Sequence, residues 1–65
     1  MRKAHIYQFL PTGMTYTFEP ETMGDWMVTV YMPTVPYELN PKLLSQAEYD
    51  QIIGLMTSEN KWARL

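Results

Sequence analysis

Met14-Thr15-Tyr16-Thr17-Phe18-Glu19 alternates apolar and polar side chains three times over. A period of two over aromatic and β-branched residues is the pattern of a half-buried strand. Downstream, Trp26-Met27-Val28-Thr29-Val30-Tyr31-Met32 repeats it and puts Trp26, Val28, Val30 and Met32 on one face. Upstream, residues 3–10 alternate less clearly. Their two faces are Ile6, Gln8 and Leu10 against His5, Tyr7 and Phe9.

The turns between these runs set the expected register. Leu10-Pro11-Thr12-Gly13-Met14 suits a three-residue hairpin loop: Pro11 presets φ, and Gly13 accepts the left-handed position of the bulge. That loop pairs Leu10 with Met14, Gln8 with Tyr16 and Ile6 with Phe18, leaving His5, Tyr7 and Phe9 on the outer side. A one-residue slip turns those three inward. The second connection, Pro20-Glu21-Thr22-Met23-Gly24, pairs Glu19 with Asp25 and Phe18 with Trp26. Two acids directly opposed are a weak point of that pairing.

Beyond Met32, Pro33, Pro36 and Pro41 forbid a helix and favour an extended crossing, in which Val35, Tyr37 and Leu39 alternate as a short edge strand would. The helix then announces itself. Ser45-Gln46-Ala47-Glu48 is a capping box, and Leu44 with Tyr49 forms a hydrophobic staple. Tyr49, Ile52, Ile53 and Met56 follow at helical spacing, while Gly54 weakens the interior by about 1 kcal/mol. The expected fold is α+β: a three-stranded antiparallel meander (about 3–10, 14–19 and 26–32) with one C-terminal helix (about 46–58) on one face. Phe18, Trp26, Val28, Ile52, Ile53 and Met56 are the expected core. The last residues, Lys61-Trp62-Ala63-Arg64-Leu65, form a tail able to fold back over the sheet.

Sixty-five residues suffice for one small domain, and a hydrophobic share of 46% is too high for a disordered chain. With no cysteine there is no disulfide and no thiolate ligand or nucleophile. Residues 4–60 carry all seven acids and a single base, Lys42. Phosphate is repelled by such a surface, which argues against a general nucleic-acid binder. The start Met1-Arg2-Lys3 precedes an apolar run broken by His5, Gln8 and Pro11, with no small-residue cleavage site, and no stretch approaches the ~20 apolar residues of a membrane span. The expected compartment is the cytoplasm.

Catalytic groups are scarce. His5 is the only histidine, Ser45 serves as a cap, and Ser58 has no base at a suggestive spacing. The expectation is a protein that is not an enzyme and holds no cofactor. Glu19, Glu21 and Asp25 cluster around one turn, but a calcium loop supplies more ligands at tighter spacing, so a solvated acidic patch is expected there and not a metal site. Pro33-Thr34-Val35-Pro36 has the PxxP spacing yet lacks the nearby arginine that orients such ligands.

What remains is surface. A sheet with a helix on one side leaves the other uncovered. The register above places Tyr7, Phe9, Met27 and Tyr31 there, a set of aromatic and methionine side chains of the kind enriched at interfaces. The sequence therefore points to a small protein-interaction module, working as a homodimer or on a protein partner. Accessory proteins of phages and mobile elements, including inhibitors of host proteins, belong to this size class. The alternative is a nucleic-acid-linked regulator using the same aromatic face with Arg2, Lys3, Lys61 and Arg64 around it.

Overall fold

The computed structural model describes residues 2–34 and 41–65. It contains the strands β1 (His5–Phe9), β2 (Met14–Pro20) and β3 (Trp26–Tyr31), then β4 (Lys42–Leu44), the helix α1 (Gln46–Glu59) and β5 (Trp62–Arg64). All five strands form one sheet in the order β4-β3-β2-β1-β5, each antiparallel to its neighbours. The class is α+β with an antiparallel sheet and a C-terminal helix, as expected, but the sheet has five strands and not three. The two additions are three-residue edges, too short to show a period. One of them, β5, is the C-terminal tail, which returns as a strand beside β1. Val35, Tyr37 and Leu39, along with Pro36 of the PxxP segment, lie outside the described residues.

The β1–β2 register is one residue from the expected one. Gly13 N–H donates to the Phe9 carbonyl at 2.8 Å, which closes a four-residue loop. Gly13 has φ +78°, and the Thr12 hydroxyl accepts from Met14 N–H. Phe9 therefore pairs with Met14, Tyr7 with Tyr16 and His5 with Phe18. Burial explains the slip. The expected register would have turned the Gln8 amide toward the helix, where an unpaired polar group is costly. The observed one turns two aromatic rings inward and releases Leu10 into the exposed loop.

The β2–β3 register is shifted by two residues, so faces are kept while partners change. Phe18 pairs with Val28, and Glu19 faces Met27 in place of Asp25, which removes the opposed acids. The connection is closed by Glu21 N–H to the Asp25 carbonyl at 2.8 Å, over a single 3-10 turn, Thr22–Gly24. Met23 at its tip is left-handed, with φ 62°.

The capping box forms as read. Ser45 Oγ accepts from Glu48 N–H at 3.2 Å, and a Glu48 carboxylate oxygen accepts from Ser45 N–H at 3.0 Å. The helix ends at a left-handed Asn60. A 14-residue helix is about 21 Å long, and four strand spacings make about 19 Å. One helix can thus carry the chain from the β4 edge to the β5 edge. The core beneath it is Phe18, Trp26, Val28, Leu44 and Met56. Ile52 and Ile53, expected at its centre, are only partly buried and pack against it with Tyr7, Tyr16, Tyr49 and Trp62.

Candidate functional site

The register divides the chemistry-bearing side chains between two faces. On the helix side they form an aromatic cluster. Trp26 and Tyr49 stack at 4.1 Å with planes 8° apart, and the Arg2 guanidinium lies over the Trp26 ring, 4.8 Å from its centre. Arg2 also donates to the carbonyls of Glu21 and Asp25 and to Gln46 Oε1, which accepts from Trp26 Nε1 as well. His5 sits among Tyr7, Phe18, Trp26 and Tyr49 at ring distances of 5.4–5.7 Å. In the neutral ring, Nδ1–H donates to the Lys3 carbonyl, because a carbonyl only accepts, and Nε2 accepts from the Tyr49 hydroxyl at 2.7 Å. Burial, then the neighbouring Tyr7, pushes the Tyr49 hydroxyl above its ordinary pKa. Both nitrogens of the only histidine are thus engaged within the fold.

The four residues expected to share an outer face do not share one. Tyr7 and Phe9 point to the helix side: Tyr7 meets Phe18 edge-on at 6.0 Å, and Phe9 lies 4.9 Å from Trp62. Met27 and Tyr31 do face outward, opposite Glu19 and Thr15 on β2. The acids of the turn are also separated. Glu19 projects from the outer face of β2, whereas Glu21 and Asp25 hold the turn through their backbone, and among the described residues no group of three metal-ligating side chains is gathered. Of the four terminal bases, Arg2 is bound on the helix side and Arg64, paired with Tyr7, points the same way.

The outer face is a grid of three rows. Leu43, Met27, Glu19 and Ala4 form the first, Thr29, Thr17, Ile6 and Leu65 the second, and Tyr31, Thr15, Gln8 and Ala63 the third. Ile6, Gln8, Leu43 and Ala63 were not foreseen there, and Leu65 only as part of a tail able to fold over the sheet. For Leu43 and Ala63 the missing signal was the two short edge strands, and for Ile6 and Gln8 it was the one-residue slip. Among these twelve positions Glu19 is the only charged side chain. Leu43 is 53% exposed, Leu65 67% and Tyr31 41%. A hollow of about 420 Å³ opens at one side of the grid, lined by Ala4, His5, Ile6, Thr17, Glu19 and Leu65. The only α-helix among the described residues lies on the opposite side.

Comparison with protein-family models, with curated proteins and with solved structures finds no match to this chain. No helix among the described residues is long and apolar enough to cross a membrane.

Proposed function

We propose that this chain is a small non-enzymatic protein-interaction module that engages its partner through the open face of its sheet. One observation carries the reading. Twelve neighbouring outward positions hold one charged side chain between them, yet no helix among the described residues covers them. Solvent-facing sheets ordinarily alternate toward charged residues, and a broad apolar and threonine-rich face is the usual mark of a binding surface. Met27, Tyr31, Leu43 and Ile6 supply the contact area, and the threonines between them supply hydroxyls able to pair across an interface. Engagement of both His5 nitrogens supports the non-catalytic side of the reading, since a general base needs a free one.

A photo-crosslinking residue placed at Thr29, in the middle of the grid, tests the proposal in the native cell. A second chain carrying the same residue at Gln51, on the exposed side of the helix, is the control. Protein crosslinks from Thr29 and not from Gln51 are expected. Crosslinks confined to Gln51, or absent from Thr29, overturn the assignment of the face.

A further inference from the structure

We propose that β5 is an exchangeable strand: the β1 edge of one copy takes residues 61–65 of a second copy and gives up its own tail in return. What fits that edge is on view, because the chain's own tail already fills it. Leu10 N–H donates to the Lys61 carbonyl and Leu65 N–H to the Ile6 carbonyl, each at 2.9 Å. Between them Trp62, Ala63 and Arg64 pair with Phe9, Gln8 and Tyr7. The Trp62 ring lies 4.9 Å from Phe9 and 5.3 Å from Tyr16. Every one of these contacts is the same whether the tail comes from its own chain or from another.

Three features favour release of the tail. Its hold is short, three paired residues with no strand beyond β5 among the described residues. The buried Trp62 Nε1 has no acceptor among the described residues, so docking strips that N–H of water without a replacement hydrogen bond. The hinge is also strained. Asn60, between α1 and Lys61, is left-handed at φ 59°, and this sharp turn folds the tail back on its own sheet. That conformation is unfavourable for any residue with a side chain, and opening it relieves both copies; short strained hinges invite exchange. Opposing it is the high local concentration of a tail on so short a tether, on the millimolar scale. Closed single chains therefore prevail in dilute solution, and the exchanged pair gains as the protein approaches that concentration. In the pair each sheet is completed by the other copy, with the partner's Trp62 on Phe9 and Tyr16 and the partner's Leu65 beside Ile6 at the hollow. One particle then carries two open faces.

The chain has no cysteine, so an introduced disulfide reports the exchange. Gln8 and Ala63 stand directly opposite each other across β1 and β5. Opposed residues of antiparallel strands have Cα atoms about 5.5 Å apart or less, within disulfide reach. Gln8→Cys and Ala63→Cys chains are mixed in equal amounts at about 1 mM in a glutathione buffer. Each bond formed between two thiols reduces one oxidised glutathione to two of the thiol form, so the pairs equilibrate. Mass spectrometry then counts mixed pairs, one chain of each kind, against like pairs. Random collision gives equal parts, and exchange predicts a several-fold excess of mixed pairs. Asn60→Gly in both chains keeps every tail contact and relieves the hinge, so the excess should fall several-fold, with circular dichroism confirming the fold. Neither result bears on the open face, which the Thr29 crosslink tests. Equal parts of mixed and like pairs overturn the exchange, and an excess that Asn60→Gly leaves unchanged overturns the hinge that drives it.

Discussion

Truncating two tyrosines to serine, one on each side of the sheet, tests the register on which every other statement depends. Tyr7 and Tyr31 lose the same atoms. Tyr7 lies beneath the helix, half-buried, with its ring edge-on to Phe18 at 6.0 Å and 5.6 Å from His5. Removing that ring returns roughly 100 Å² of contact to water, about 2.5 kcal/mol, and forfeits aromatic pairing of about 0.5–1.5 kcal/mol more. Tyr7→Ser should therefore cost about 3 kcal/mol. A 65-residue domain has roughly 3–10 kcal/mol in total, so the loss is a large fraction of it. Tyr31, 41% exposed on the open face, should cost about 1 kcal/mol or less. Urea titration followed by circular dichroism at low micromolar concentration, below any self-association, reads both. With a slope near 1 kcal/mol per molar, the Tyr7→Ser midpoint falls by about 2–3 M. If Tyr31→Ser is as damaging as Tyr7→Ser, or more so, then β1 sits one residue away and its faces are exchanged.

Met56 is 4% exposed and is the one buried residue the helix contributes, so Met56→Ala should cost on the order of 2–5 kcal/mol in the same titration. Ser45→Ala should lose about 1 kcal/mol by leaving a helix-start amide without an acceptor. Hydrogen bonds from the Ser45 backbone and then its hydroxyl hold the Glu48 carboxyl below its ordinary value of 4.5. A depressed folded-state value means that this contribution is present above about pH 4.5 and disappears as pH falls through the lower folded value; Glu48→Gln should flatten that acid limb of the helical signal. Met23 is 98% exposed at φ 62°, a conformation that asparagine tolerates better, so Met23→Asn should raise the melting temperature by roughly 2–4 °C, and a fall would count against the left-handed turn.

The parts of the fold legible in the sequence are those decided locally. Ser45, Glu48, Leu44 and Tyr49 fix the helix start among themselves, and the alternation of residues 14–19 and 26–31 names the inward side of β2 and β3 whatever their exact partners. Register is different, because it weighs a turn against the burial of everything the turn positions. Pro11 and Gly13 suggested a three-residue loop, but the gain from turning Tyr7 and Phe9 inward and Gln8 outward outweighed it. The edge strands left no pattern at all: Lys42–Leu44 and Trp62–Arg64 are strands because β3 and β1 offer them open edges, a property of the partner and not of three residues. Half of the candidate face followed from that. Met27 and Tyr31 were legible from β3 alone, whereas Leu43 and Leu65 needed the assembled sheet.

The strand order also sets a sequence of events in time. β1 lies between β2, its neighbour along the chain, and β5, which arrives from the far end. Phe9 meets Met14 across a four-residue loop but meets Trp62 only after about 50 residues have been brought back, at roughly 2 kcal/mol more closure entropy. The hairpins and the helix can form early, while β5 docks late and is the first strand to let go. During that interval the edge of β1 stands unpaired, with Phe9 and Tyr16 deprived of the Trp62 ring that packs on both. Amide exchange should record this as a gradient across the sheet, fastest in residues 62–64 and slowest around Phe18.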